Sequence, residues 1–308
     1  MLWWAHPKYV FMTGLCWEDV QMVESVKVSV GAHSLAVRRA GAGGVPLVLL
    51  HGFPAGSAIF ERNIGGLADA GFDVAAPDLR GFGESDFAPD GFYDVAAFSG
   101  DVIGLCDALG WRRVVLSGYG LGASVGIDVA GRYPGRVDRL LLLNHEPPVV
   151  DGAVAAGRLP SYVEEQGRET GDLVRRLEGA GGRKEYAAGF LREWASEGAF
   201  TDAELAGLTA PFADAARMEA AFGYAQALCG TRETSAPAML DRQVRQPVIV
   251  LVGPADSAVG DDFVDRCVAA YPKVVGPFVV PGAGRFVMWE KPTVFNRTLQ
   301  YFCADLID

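Results

Sequence analysis

Short apolar runs alternate with longer amphipathic stretches along most of the chain. Residues 45–50 form a continuous apolar run, which is typical of a parallel strand buried on both faces. Further strand-like runs lie at residues 72–76, 113–117, 139–143, 247–252 and 274–280. Helices are predicted at residues 61–70, 96–109, 121–133 and 293–306.

The chain opens with a predicted β-hairpin, in which residues 24–30 and 34–40 are joined through Gly31, Ala32 and His33. A hairpin followed by β-α alternation predicts an α/β fold with a mostly parallel, doubly wound sheet flanked by helices.

The alternation stops between about residues 148 and 245, where no strong strand signal remains. Four helical segments are predicted there, at residues 160–177, 183–197, 201–208 and 212–228. Such an insertion after the sixth strand would form a lid over the carboxyl edge of the sheet, where sheets of this kind bind ligands. The predicted division is a core of residues 23–147 and 246–308, a lid of 148–245, and an N-terminal extension of 1–22.

The N-terminal extension is aromatic-rich, with Trp3, Trp4 and Tyr9, but it is too interrupted for a secretory signal. Two interpretations remain open. The segment is an arm that packs on the core or on a partner, or the true start is Met12 or Met22.

Composition excludes several classes of function. Half of the 308 residues are hydrophobic, enough for a large core, and the net charge of −11 argues against nucleic-acid or anionic membrane partners. No run of about 18 apolar residues predicts a membrane span. The five cysteines are scattered and the four histidines form no cluster with them, so we expect a cytoplasmic protein with reduced thiols and no metal site.

Five motifs occur in an order that resembles the α/β-hydrolase family, in its epoxide hydrolase and haloalkane dehalogenase branch. They are residues 51–54 (H-G-F-P), 78–86 (D-L-R-G-F-G-E-S-D), 118–122 (G-Y-G-L-G), 251–256 and 282–292. The lid segment 200–228 also resembles that branch. The resemblance covers about residues 24–306 and implies an eight-stranded, mostly parallel sheet with a helical lid after the sixth strand.

Two of the three triad positions lack the chemistry that the resemblance would require. Gly120 stands where the family carries its nucleophile on a strand-to-helix turn, and Arg285 stands where it carries the general-base histidine. The position of the triad acid keeps Asp256. Arginine stays protonated, so hydrolysis through a triad is not expected. Arg285 either forms an inert ion pair with Asp256 or binds an anionic ligand group.

The family's oxyanion hole uses backbone donors, which survive changes of side chain. Carried over by position, the donors are the N–H groups of Phe53 and Leu121, although the H-G-F-P segment could instead only shape a turn. Four further residues are expected to line the substrate site, namely His51, Tyr119, Asn144 and Trp194. His51 has the alternative role of bracing the Phe53 loop.

Replacement chemistry is predicted at the end of the sixth strand. His145 and Glu146 form a pair that could titrate near neutral pH and act as an acid or base, or they form only a polar hinge into the lid. Tyr224, in a predicted lid helix, could donate a hydrogen bond as lid tyrosines of epoxide hydrolases do. Ser117 and Ser124 are not expected to replace the nucleophile.

We therefore expect an enzyme that needs no cofactor and acts on an apolar or aromatic small molecule, of the kind found in secondary metabolism, bound between core and lid. Its reaction would be a proton transfer, elimination, isomerisation or cyclisation. The alternatives are a binding pseudoenzyme or scaffold, and residual hydrolysis by a water held near Asp256. A homodimer is left open by the sequence.

Overall fold

One eight-stranded sheet runs through the protein, in the strand order β1-β2-β4-β3-β5-β6-β7-β8. The computed structural model describes residues 22–145, 159–177, 179–240, 244–256, 259–260 and 262–307. The strands are β1 (Glu24–Val30), β2 (His33–Ala40), β3 (Val45–Leu50), β4 (Phe72–Pro77), β5 (Val114–Tyr119), β6 (Val137–Leu143), β7 (Val248–Val252) and β8 (Val274–Val279). Strand β2 pairs antiparallel with β1 and β4, and the other neighbours are parallel.

Helices pack on both faces of this sheet. The chain segment that connects β6 to β7 is also helical and forms the lid. Those of the core are α1 (Ile64–Asp69), α2 (Val95–Ala108), α3 (Leu121–Arg132), α9 (Phe263–Ala270), α10 (Val287–Glu290) and α11 (Pro292–Phe302). The lid helices are α4 (Ser161–Arg168), α5 (Thr170–Arg176), α6 (Gly179–Trp194), α7 (Asp202–Thr209) and α8 (Ala215–Leu228). Within the described part of the chain, no helix is long and apolar enough to span a membrane.

The two faces of the sheet support two apolar clusters. In β3, Val48 and Leu50 belong to the cluster with α2 and α3, whereas Leu47 and Leu49 belong to the cluster with α1 and α11. This alternation follows from the two-residue period of a strand. Because both faces are covered, the central strands are apolar throughout, as the sequence pattern predicts.

The fold prediction is confirmed, with local differences. The predicted helix 160–177 is two helices, α4 and α5, divided at Glu169. Helix α6 begins at Gly179, before the predicted residue 183, because glycines obscure its helical pattern. Helices α9 and α10 are short and escaped prediction. The N-terminal extension, apart from Met22, lies outside the described residues.

Close backbone approach fixes helix α3 against strands β3 and β5. A Cβ atom on Gly122 would lie 2.1 Å from the carbonyl oxygen of Leu50, and one on Gly118 would lie 2.6 Å from the backbone of Gly122. Real Cβ contacts are never so short. The first and last glycines of the 118–122 segment therefore place the end of β5 and the start of α3.

We expect Gly122→Ala to lower the free energy of unfolding by at least ~2 kcal/mol, because the added methyl group meets backbone that cannot move aside. Gly100→Ala is the matched control, since Gly100 lies exposed in helix α2 with open space around its Cβ position. That change should be neutral or stabilising by about 0.5–1 kcal/mol. Chemical denaturation measures both, and equal stability of the two variants would contradict the account of the 118–122 segment.

Candidate functional site

The turn between β5 and α3 keeps a backbone conformation that side chains rarely adopt. Gly120 has φ +52° and ψ −122°. A Cβ built on Gly120 would meet no atom of the described residues within 4 Å beyond its chain neighbours. The turn thus presents open space where a nucleophile would project, and glycine relieves the strain that another residue would carry there.

Two backbone N–H groups adjoin this turn. Gly52 lies so close to it that a Cβ on Gly52 would be 3.2 Å from the nitrogen of Leu121. Neither the Phe53 N–H nor the Leu121 N–H donates a hydrogen bond to any described residue. Leu121 is also the first residue of helix α3, whose dipole favours negative charge at that end. The pair can therefore stabilise an oxygen anion above Gly120.

A buried ion pair occupies the positions of the family's base and acid. Nε and Nη2 of Arg285 donate to the two carboxylate oxygens of Asp256, at 2.9 and 3.1 Å. Arg285 is 8% exposed and Asp256 3%. Burial lowers the pKa of Arg285, but the attraction and hydrogen bonds of Asp256 outweigh it, so the pKa is raised. Arg285 therefore stays charged and cannot accept a proton.

Asn144 ties this ion pair to the end of strand β6. Its side chain exchanges hydrogen bonds with the backbone of Gly253, and Nδ2 also donates to the Asp256 carboxylate at 3.2 Å. Asn144 has a φ of +40°, a region that asparagine tolerates better than most residues. Its amide groups are all engaged, so Asn144 positions Asp256. Its contact with a substrate stays a prediction.

The lid packs directly on Arg285. Its guanidinium carbon lies 3.9 Å from the centre of the Trp194 ring, and its backbone N–H donates to the Trp194 carbonyl at 2.7 Å. Tyr162 of helix α4 lies beside the Arg285 side chain and packs its ring on Trp194, with the ring centres 5.1 Å apart. Trp194 is 4% exposed and serves as a platform for Arg285. Its predicted contact with the substrate stays a prediction.

Glu290 holds the loop that carries Arg285. Its carboxylate accepts hydrogen bonds from the backbone N–H groups of Gly284 and Phe286, and from that of Ser196, which follows lid helix α6. The sequence analysis missed Glu290 and Tyr162. Glu290 lies in the motif 282–292, only five residues after Arg285, and this short separation could have indicated the contact. Nothing in the sequence around Tyr162 indicated a contact with Arg285.

His145 lies at the same edge of the sheet. Its ring is half-buried and makes no hydrogen bond to a described residue. Burial, reinforced by the positive charge of Arg285, lowers the pKa of His145 to about 4. The imidazole is therefore neutral at physiological pH and able to accept a proton. Glu146, its predicted partner, lies outside the described residues.

Aromatic side chains of the lid face the Phe53 loop. The Phe53 ring contacts Phe190, Phe212 and Phe222 with ring centres 5.5 to 5.9 Å apart. Tyr224 of helix α8 lies beside Ser124 of helix α3, and burial raises the pKa of this tyrosine. Tyr224 remains a protonated hydroxyl beside helix α3.

Comparison with known proteins supports this architecture. Residues 45–292 match the model of the alpha/beta hydrolase fold. The chain belongs to the alpha/beta hydrolase fold family. Over 281 residues it is 29% identical to a 2-(acetamidomethylene)succinate hydrolase of Mesorhizobium japonicum, an alignment that spans 90% of this chain and 94% of the relative.

The epoxide hydrolase branch recurs among the relatives. Over 94 residues the chain is 43% identical to epoxide hydrolase A of Mycobacterium tuberculosis, covering 30% of this chain and 29% of that protein. The solved structure of epoxide hydrolase CorEH superposes with a TM-score of 0.80 at 25% identity, over 92% of this chain and all of that one. The predicted resemblance is therefore confirmed for fold and branch.

His51 and Tyr119 are predicted to line the substrate site, and in the structure their polar atoms bond to backbone groups. His51 is fully buried, where its Nε2 accepts from the Leu79 N–H at 2.9 Å and burial lowers its pKa. Tyr119 is also fully buried, and its hydroxyl donates to the Gly52 carbonyl at 3.0 Å. Both side chains brace the loop of residues 51–54, as the alternative interpretation of His51 held.

Arg285 and Asp256 should be strongly coupled in stability. We expect either single change to alanine to lower the free energy of unfolding by about 3–5 kcal/mol, because a buried charge loses its partner. The double variant should cost much less than the sum. Denaturant unfolding of all four proteins measures the coupling.

The surface pair Arg175 and Asp172 is the control for that cycle, since both side chains are mostly exposed. Its double-mutant cycle should show no measurable coupling. Additive costs at Arg285 and Asp256 would mean that the ion pair does not hold the site together.

The low pKa of His145 should appear as a pH dependence of stability. The unfolded histidine binds a proton near pH 6.5 and the folded one only near pH 4. The unfolded state therefore holds the extra proton in this window, and stability is lost as the pH falls from 6.5 to 4, by up to ~3 kcal/mol. His145→Gln should remove this part of the acid sensitivity. Denaturant unfolding across that pH range compares the two, and identical profiles would contradict the prediction.

Proposed function

We propose that this chain is a non-hydrolytic enzyme of the alpha/beta hydrolase fold that moves protons on an apolar or aromatic carbonyl compound without a cofactor. The product class is that of an isomerase, lyase or cyclase. The substrate would lie between the core and the lid, as a small molecule of the polyketide-like kind.

The observation that carries the proposal is the open space at the Cβ position of Gly120, next to the N–H groups of Phe53 and Leu121, which donate to no described residue. A substrate carbonyl oxygen placed there would meet no side chain of the described residues. Negative charge that develops on this oxygen would be stabilised by donors already in place.

His145 supplies the base in this mechanism. It takes a proton from a carbon next to the bound carbonyl, and the electron pair of that C–H bond moves to the oxygen as an enolate. Returning the proton at another atom gives isomerisation, expelling a neighbouring group gives elimination, and attack of the enolate carbon on a second carbonyl gives cyclisation.

The low pKa of His145 limits the substrate. A weak base removes protons only from acidic carbons, such as those flanked by two carbonyl groups. Burial and the positive charge of Arg285 together keep His145 neutral, and the same charge would favour the developing enolate. Tyr224 stays protonated and can donate a hydrogen bond. The ring cluster around Phe53 supports an aromatic or apolar ligand body.

A hydrolytic function is the second candidate, because the relative matched over 90% of this chain is named a hydrolase. It would require water activation without a nucleophile at Gly120. The carboxylate oxygens of Asp256 already accept hydrogen bonds from Arg285 and Asn144, so a water would have to share these oxygens with both donors. Proton transfer is therefore the function that we propose. If neither proton transfer nor hydrolysis is found, the protein is a ligand-binding pseudoenzyme.

We expect the protein to catalyse exchange of acidic C–H protons of aromatic 1,3-dicarbonyl compounds in deuterated buffer, measured by NMR. His145→Gln should slow this exchange about 10²–10⁴-fold, the usual effect of removing a general base. Circular dichroism should show that the variant keeps the wild-type fold, so that slower exchange reports the loss of the His145 base. Equal exchange in both proteins, or none in either, would defeat the proposal.

Covalent hydrolase probes provide the opposite test. We expect fluorophosphonates and epoxide-based probes to leave the protein unlabelled, because Gly120 has no side-chain oxygen and no histidine activates Ser117 or Ser124. Intact-mass spectrometry measures this, with a serine esterase as positive control. A stoichiometric adduct at either serine would instead support the hydrolytic candidate.

A further inference from the structure

Arg285 uses only part of its hydrogen-bonding capacity on Asp256. A guanidinium carries five N–H donors in a planar fork. One donor on Nε and one on Nη2 bond to the Asp256 carboxylate, at 2.9 and 3.1 Å. The remaining three, two on Nη1 and one on Nη2, donate to no described residue. One edge of the fork is therefore paired with Asp256, whereas the edge formed by Nη1 and Nη2 is not paired.

This unpaired edge can be reached by a ligand although Arg285 is buried. Nη1 keeps accessible surface. Trp194 lies over one face of the guanidinium, with its ring centre 3.9 Å from the central carbon, and a ring in that position leaves the edges of the fork open. Donors of a buried cation are costly when they have no acceptor. The edge formed by Nη1 and Nη2 is therefore suited to bind the oxygen atoms of a ligand.

Tyr162 of the lid offers a further donor beside Arg285. Its hydroxyl lies next to the guanidinium and donates to no described residue. Because the cation attracts the hydroxyl oxygen, the O–H proton is left for another acceptor. Ligand oxygens at the unpaired edge can therefore accept hydrogen bonds from Arg285 and from Tyr162.

The charges around Arg285 favour an anion at the unpaired edge. Within the described part of the chain, Asp256 is the only carboxylate that forms an ion pair with Arg285, and it lies at the opposite, Nε edge. On the side of His145 the positive charge of Arg285 prevails, since it adds to burial in lowering the pKa of that histidine. An anion at the unpaired edge would thus contact the guanidinium and lie farther from Asp256.

We infer that Arg285 determines specificity by binding a carboxylate group of the substrate through Nη1 and Nη2, while its other edge stays paired with Asp256. Two parallel N–H groups match the two oxygens of a carboxylate, whereas a phenolate would leave one donor without a partner. The placement of the rest of the ligand rests on the proposed function, with its carbonyl oxygen at the N–H groups of Phe53 and Leu121. The substrate class is then an aromatic carbonyl compound that carries a carboxylate.

Binding of benzoate and benzamide to the full chain tests this inference without any turnover. The two probes have nearly the same size and shape, and only benzoate carries a charge and two equivalent oxygens at pH 7. We expect benzoate to have a dissociation constant at least ~10-fold lower than that of benzamide, because its hydrogen bonds to Arg285 are charge-assisted. NMR titration of the protein with each probe measures both constants.

Arg285→Lys keeps a positive charge for Asp256 but loses the fork. In this variant the preference for benzoate should fall below about 3-fold. Tyr162→Phe should weaken benzoate binding about 10-fold, with a smaller effect on benzamide. Tyr186→Phe is the matched control, because both tyrosine rings pack on Phe190 but the Tyr186 hydroxyl bonds to Gln166. The control should bind both probes like the wild type.

Equal binding of the two probes by the wild type, or binding of neither, would overturn the inference. Equal losses of benzoate binding in Tyr162→Phe and Tyr186→Phe would also overturn it, and this pair decides the question if Arg285→Lys does not fold. Proton exchange of neutral 1,3-dicarbonyl compounds is measured separately. Exchange without a preference for benzoate would contradict only the carboxylate site, whereas a preference for benzoate without exchange would contradict only the proposed function.

Discussion

The site depends on a single buried ion pair, that of Arg285 with Asp256. The two side chains come from loops that follow β8 and β7, and each is held by a separate part of the protein. Asn144 fixes the carboxylate from the end of β6, while Trp194 and Tyr162 of the lid cover the guanidinium. Because an unpaired charge is costly in such a place, the pair constrains core and lid together.

The same ion pair changes the acid–base chemistry available at the carboxyl edge of the sheet. In a triad, this position supplies a histidine that exchanges protons. A guanidinium supplies permanent positive charge, which adds to burial in lowering the pKa of His145. Under the proposed function, the same charge that replaces the triad base leaves His145 as a neutral base at this edge of the sheet. The proposed oxyanion donors would be unaffected, because they belong to the backbone of Phe53 and Leu121.

Glycines allow the close backbone contacts of the family's fold that this chain keeps. Gly122 and Gly118 allow β5 and α3 to approach each other, and Gly120 accepts the strained turn between them. Gly284 plays a similar part beneath the lid, since a Cβ there would lie 2.3 Å from the Trp194 carbonyl oxygen. The frame of a hydrolase is thus kept by backbone contacts, which are independent of the reaction that the side chains perform.

The sequence by itself determined the fold, the position of the lid and the loss of the triad. The fold follows from apolar runs of strand length and from the order of the motifs, which are local features of the sequence. The loss of the triad follows from the identities of Gly120 and Arg285, which the sequence gives directly. It also paired Arg285 with Asp256 correctly, since strand ends of a parallel sheet meet at one edge.

Only the tertiary structure decided the direction and partner of each polar side chain. His51, Tyr119 and Asn144 all belong to motifs next to the site, yet their polar atoms bond to backbone groups or to Asp256. Tyr162 and Glu290 act on Arg285 from segments 123 and 5 residues away along the chain. Hydrogen bonds satisfy buried donors and acceptors wherever the packed chain brings them together, and sequence spacing does not encode that proximity.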